Sequence, residues 1–194
     1  MNICIYGAAS ENILKIYISE GEKLGFELSK RGHNLVFGGG NCGLMGAVAR
    51  GALSEGKAEI IGIVPSFFTD KGKRVDGILF KEISKLIETE TMSERKMLLN
   101  EQSDAVVITP GGIGTYDEMF EMLTLKSLGR HKKPMALLNT NGYFDGLLGV
   151  LHKGIEDGFI ASDVINHLFI SDDVTEILDY IEQNVFKEKE KFFR

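Results

Sequence analysis

Three turns in this sequence carry residue types that could do chemistry. In the first, Thr109-Pro110-Gly111-Gly112-Ile113-Gly114-Thr115 follows the apolar run Ala105-Val106-Val107-Ile108. Three glycines in four positions let the backbone turn several N–H groups inward. The helix expected to begin near Thr115 adds its unpaired amides and the positive end of its dipole. That is the chemistry of an anion site, and phosphate is the ligand it suits. No Lys-Ser or Lys-Thr pair follows the glycines, so this is not a nucleoside-triphosphate P-loop. A monophosphate bound without obligatory magnesium fits it better.

Glu118 stands three residues beyond Thr115. Thr115-x-x-Glu118 reads as a capping box, with a Thr cap and a Glu reaching back. The alternative starts from position. A carboxylate beside a phosphate cradle repels the ligand, so it is useful there only facing ribose hydroxyls, a cation, or positive charge that develops during a reaction. In the second turn, Glu88-Thr89-Glu90-Thr91-Met92-Ser93-Glu94-Arg95-Lys96-Met97, Ser93 is the expected helix cap. Arg95 and Lys96 would then lie in the first helical turn, where the dipole disfavours cations by about 0.3–1 kcal/mol. Either Glu90 and Glu94 neutralise them, or they meet an anionic ligand.

The third turn, Gly38-Gly39-Gly40-Asn41-Cys42-Gly43-Leu44-Met45-Gly46, matches the dinucleotide fingerprint in its glycine spacing. That fingerprint normally follows the first strand and needs an acid at the end of the next. Here the next strand ends in Pro65, with no carboxylate for a ribose. Close helix packing and a wall of the ligand site are both compatible with these glycines.

The elements that must position these turns alternate regularly. Short apolar runs at 2–6, 34–37, 60–64, 83–88, 104–108, 134–138 and 167–170 read as strands. Amphipathic stretches at 11–31, 43–56, 93–102, 115–129, 143–157 and 173–185 read as helices. The expectation is an α/β fold: a Rossmann-like doubly wound, mainly parallel sheet of about seven strands with helices on both faces. Residues 1–186 would form one nucleotide-binding domain and 187–194 a charged tail, the frayed end of a helix. The stretch 65–82 lacks clean periodicity and reads as a long connection near the mouth of the sheet. Helix 115–129 is apolar beyond one stripe. It either packs within the domain or covers a second subunit.

Bulk properties exclude several classes. The 194 residues carry a net charge of −6 and only two cysteines, Cys4 and Cys42. No basic face points to nucleic acid, no run is long enough for a membrane span, and no disulfide framework or metal site is expected. No signal-type segment precedes the strand-like run Ile3–Tyr6, so a cytoplasmic protein is expected.

The combination is more specific than any part. Gly38-Gly39-Gly40-x-x-Gly43-Leu44-Met45-Gly46, Met92-x-x-Arg95-Lys96 and Pro110-Gly111-Gly112-x-Gly114-Thr115-x-x-Glu118 occur in that order. Lys133-Pro134 and Leu137-Leu138-Asn139-x-x-Gly142-Tyr143-Phe144-Asp145 follow. This resembles the Lonely Guy family, the cytokinin riboside 5′-monophosphate phosphoribohydrolases, over about residues 2–180. The resemblance implies a homodimer without a cofactor that hydrolyses the bond between an adenine-type base and ribose 5-phosphate. It implies that Gly111, Gly112, Gly114 and Thr115 hold the 5′-phosphate and that Arg95 and Glu118 are the catalytic pair. Lys96, Met92 and Gly40 would lie around the nucleotide, with Gly7 at the first turn. The chain departs from the family pattern at Ala8 and Ala9, where serines are usual, at Ser93, often His, and at Leu125 and Ser127, often Trp and Gln. Those positions bear on base specificity and on ribose or phosphate contacts. Many members were once labelled possible lysine decarboxylases, but no pyridoxal phosphate lysine or ring partner is identifiable in this sequence. The alternative function is a carrier of the same fold that holds a nucleotide- or molybdopterin-like cofactor without cleaving it. An assembly role through the tail or the 65–82 stretch has no positive support.

Overall fold

The computed structural model describes residues 1–68 and 80–192, with side chains described through Val185. Seven strands form one sheet: β1 (Asn2–Tyr6), β2 (Asn34–Phe37), β3 (Ile60–Pro65), β4 (Lys85–Thr89), β5 (Ala105–Ile108), β6 (Met135–Leu138) and β7 (Phe169–Ser171). Between them run α1 (Lys15–Lys30), α2 (Gly43–Ser54), α3 (Met92–Glu101), α4 (Ile113–Ser127), α5 (Asp145–Glu156) and finally α6 (Val174–Phe192). Every strand pair is parallel, in the order β4-β3-β2-β1-β5-β6-β7.

Strand alternation sorts the core into two layers. Ile3, Ile5, Leu35, Phe37, Val107 and Leu138 pack against α1, α2 and α6 through residues such as Leu24, Val48 and Ile181. Cys4, Tyr6, Ile63, Val106, Ile108 and Leu137 face the other way, toward Leu99 of α3, Met119 and Leu123 of α4, and Phe144. Both faces of the central strands are thus covered, as all-parallel sheets require. Each fully buried aliphatic side chain contributes about 1.5–3 kcal/mol.

Several ends differ from the sequence reading. α1 starts at Lys15, not at 11, because Leu14 is extended (φ −62°, ψ 144°) and residues 7–14 form an irregular turn. β4 starts at Lys85 and is an edge strand, exposed except at half-buried Ile87 and buried Thr89. α6 continues through Phe192, past the expected end at 185. Of the 65–82 stretch, Ser66–Phe68 is a single 3-10 turn, and 69–79 lie outside the described residues.

Candidate active site

In this strand order the chain proceeds outward from β1 to β4 on one side and from β5 to β7 on the other. The reversal falls between β1 and β5, and beyond the carboxyl ends of such strands ligands bind. The β1–β5 register runs to Tyr6 beside Ile108. The turns after both strands therefore emerge together. Ala8 N–H donates to Pro110 O at 3.1 Å, and Ala8 O accepts from Met45 N–H at 2.9 Å. Three distant parts of the chain are thus tied into one rim.

α4 begins at Ile113 with Gly112 as its N-cap and no side-chain cap. Its first intrahelical bond runs from Tyr116 N–H to Gly112 O at 3.1 Å. The amides before Tyr116 have no intrahelical acceptor by construction, and the dipole of this 15-residue helix points its positive end at the same space. The capping-box reading of Thr115 and Glu118 is therefore corrected. Thr115 is the third helical residue and buried, with its hydroxyl packed over Gly111. A Cβ on Gly111 would meet Thr115 Oγ1 at 2.1 Å. A Cβ on Gly112 or Gly114 would meet nothing within 4 Å, and neither has a positive φ. Nothing among the described residues demands glycine at those two positions. What they leave is open room over a row of donors.

Glu118 lies one turn along α4 from Gly114, a rise of about 6 Å. Its carboxylate turns to Arg95, whose Nη1 donates to Oε1 at 2.7 Å. Both side chains are only 11% exposed. Burial pushes the Glu118 carboxyl above its ordinary value, and the adjacent guanidinium offsets this only in part. The pairing alone would lower that value; desolvation of a nearly enclosed carboxylate is the larger effect.

Arg95 is held on three sides. Its Nε donates to Ile63 O at 3.2 Å, and its Nη2 would lie 2.2 Å from a Cβ on Gly38. Gly38 makes room for the guanidinium, a close approach that glycine-spacing arguments did not identify. The expected cap Ser93 is also corrected. The Thr91 hydroxyl caps α3 by accepting from Glu94 N–H at 3.1 Å, and Glu94 accepts from Glu90 N–H at 2.8 Å. Arg95 is therefore the fourth helical residue, past the most repulsive part of the dipole, and Glu94 serves as cap rather than as its counter-ion.

The other expected site residues fall as follows. Lys96 is on the same helix, and its ammonium sits 3.0 Å from Asp117 Oδ2 and 2.5 Å from Glu121 Oε2. The Glu121 carboxylate, more than its partial burial, moves its pKa, upward from the ordinary value. Met92 opens α3 and is exposed. Gly40 lies two residues beyond Gly38 and faces the Met45 side chain. Gly7 is a packing position: a Cβ there would meet Thr109 Oγ1 at 2.3 Å. Gly43 (φ 61°) and Gly46, whose Cβ would meet Asn41 O at 1.8 Å, let α2 pack under the rim. The sequence reading gave no role to Tyr6, which lines a small recess with Glu118 and Lys96, or to Tyr116 and Tyr143 at the glycine turn. Tyr143 stood in a quoted motif, which was the available signal.

Neither Lys96 nor Lys133 suits decarboxylation through a Schiff base. Lys96 is fixed as a paired ammonium. Lys133, depressed by burial, donates to Asn100 O and Oδ1, and it precedes β6 at the end of the sheet opposite the glycine turns.

Residues 45–181 match a family described as possible lysine decarboxylase. A probable cytokinin riboside 5′-monophosphate phosphoribohydrolase of Oryza sativa subsp. japonica, LOGL9, is 40% identical over 169 residues, covering 87% of this chain and 71% of the relative. The Arabidopsis thaliana enzyme LOG2, named a cytokinin riboside 5′-monophosphate phosphoribohydrolase, is 32% identical over 185 residues, covering 95% and 84%. Among solved structures, the Moco carrier protein of Chlamydomonas reinhardtii superposes with a TM-score of 0.70 at 21% identity, covering 96% of this chain and 98% of that one. At that identity the likeness speaks to the fold alone. Matched along most of its length to relatives of this name, the chain belongs to the Lonely Guy family.

Proposed function

We propose that this chain hydrolyses the N-glycosidic bond of a purine nucleoside 5′-monophosphate, cytokinin-type or AMP, releasing the free base and ribose 5-phosphate. One observation carries the reading: a nearly enclosed Arg95–Glu118 pair stands one helical turn from an open, glycine-lined helix N-terminus. The 5′-phosphate sits against the amides of Gly112, Ile113, Gly114 and Thr115, and the ribose spans from there toward Glu118. As the C1′–N bond breaks, its electron pair leaves with the base and the sugar takes on oxocarbenium character. The Glu118 carboxylate opposes that charge and accepts a proton from the attacking water, whose oxygen bonds to C1′. The departing base nitrogen takes up a proton in turn. A carboxyl raised above its usual value suits a base working near neutrality. Arg95, anchored on Ile63 O and Gly38, holds that carboxylate in place.

Met92, Met97, Phe120 and Leu128 are exposed apolar residues on or just beyond α3 and α4. They fit the face of a homodimer beside the site. Among the described residues no helix is long and apolar enough to cross a membrane. A substrate with an ionised phosphate does not leave the cell unaided, so the reading places the enzyme in the cytoplasm.

The test is base release from AMP and from isopentenyladenosine 5′-monophosphate, with the free ribosides as controls. Release from a monophosphate but not from its riboside supports the proposal. Tight AMP binding without release would instead support a carrier.

A further inference from the structure

The motif Asn139-x-x-Gly142-Tyr143-Phe144-Asp145 has no part in the reaction described above, yet the structure brings it to the phosphate turn. β6 is the direct neighbour of β5, so the turn after β6 emerges beside the turn after β5. That turn is built tightly. Asn139 Oδ1 accepts from Phe144 N–H at 2.8 Å, and Asn139 Nδ2 donates to Asp145 Oδ1 at 2.8 Å. Asn141 (φ 56°) and Gly142 (φ 67°) are both left-handed. The outcome is a fixed direction for the Tyr143 ring, packed edge-on against Tyr17 at 5.8 Å and Phe144 at 5.0 Å. Its hydroxyl reaches Gly111 O at 2.6 Å. A carbonyl only accepts, so Tyr143 donates there. The Tyr116 hydroxyl, 3.3 Å away, must then donate to Tyr143.

A trans peptide sends its C=O and its N–H in opposite directions, and the structure has no cis bond among the described residues. Pinning Gly111 O therefore aims the Gly112 N–H. This peptide lies between two glycines and is among the easiest to flip, because neither flanking residue has a Cβ to resist. Without an external anchor it would sample orientations that withdraw the amide from the anion. A phenol ordinarily titrates at about 10, so Tyr143 remains a donor across the working range.

We infer that Tyr143 is a positioning residue: by holding the Gly111 carbonyl it presets the Gly111–Gly112 peptide so that the Gly112 N–H faces the 5′-phosphate. Tyr116 supports it from α4. This rests on the proposed function.

Tyr143→Phe keeps the ring and its packing and removes only the donor. The measurements are kcat and KM for the monophosphate, the dissociation constant of inorganic phosphate by calorimetry, and the melting temperature, each against wild type and Tyr116→Phe. Losing one hydrogen bond at a preset amide is expected to raise both KM and the phosphate dissociation constant about three- to tenfold, with kcat changing much less. Tyr116→Phe should shift both in the same direction by less. Unchanged phosphate affinity in Tyr143→Phe overturns the assignment, whether or not the melting temperature falls. Wild-type protein that neither cleaves nor binds the monophosphate would overturn the proposed function itself, a result distinguishable from an active wild type with an indifferent Tyr143→Phe.

Discussion

Glu118→Gln is the sharpest perturbation, because it preserves shape and removes one charge. Opposite charges 2.7 Å apart attract by about 6 kcal/mol at an effective dielectric near 20. Desolvation opposes that attraction, and the raised Glu118 pKa shows that it prevails. Because the folded value lies above the unfolded one, ionised Glu118 costs the fold stability at neutral pH. That cost is absent below the ordinary value of 4.5 and complete above the raised one. Glutamine escapes it but leaves Arg95 facing a neutral partner. The two effects oppose each other, so the melting temperature should move by no more than about 4 °C. Turnover has no such compensation. Losing the anion that faces the oxocarbenium and accepts a proton is expected to lower kcat by about 10²–10⁴, or about 2.7–5.4 kcal/mol. Phosphate binding at the α4 N-terminus should survive. The assay is single-turnover base release from AMP, with AMP affinity by calorimetry and melting by circular dichroism. A kcat within tenfold of wild type, with AMP still bound, would refute the catalytic role. A collapse in melting temperature with activity per folded molecule intact would make Glu118 a structural residue.

Gly38→Ala sets a Cβ 2.2 Å from Arg95 Nη2, the movable end of a side chain, so the protein should fold while the guanidinium is displaced; kcat is expected to fall at least about tenfold with little change in melting. Gly114→Ala meets no atom and should stabilise α4 by about 0.5–1 kcal/mol while weakening AMP binding, whereas Gly46→Ala drives into Asn41 O and should destabilise by about 1–3 kcal/mol; equal AMP affinity in Gly114→Ala and wild type would remove the ligand from that space. The acid limb of kcat/KM should lie above 4.5, because the active form is the Glu118 carboxylate and its pKa is raised. A limb at or below 4.5 would assign the titration to another group.

Much of this protein was legible without coordinates because its signals are local. Ala105–Ile108 is an unbroken β-branched and apolar run, and the three glycines that follow Thr109-Pro110 announce a turn free to point its amides inward at a ligand. Alternating short and long apolar runs allow few folds besides a covered parallel sheet. Cap positions were harder, since neighbouring hydroxyls compete. Thr91 rather than Ser93 caps α3, and Thr115 is drawn onto Gly111 instead of capping α4. The pairing at the centre of the site had no local signal. β4 and β5 are consecutive in sequence but have three strands between them in the sheet, so α3 must cross back over those strands. That crossing lays Arg95 over Ile63 O and the Cβ-free face of Gly38 and brings it to Glu118. Tyr143 meets Gly111 for the same reason, through the adjacency of β5 and β6. Residue types and spacing determined what chemistry each turn could do. Strand order, which periodicity does not encode, decided which turns met.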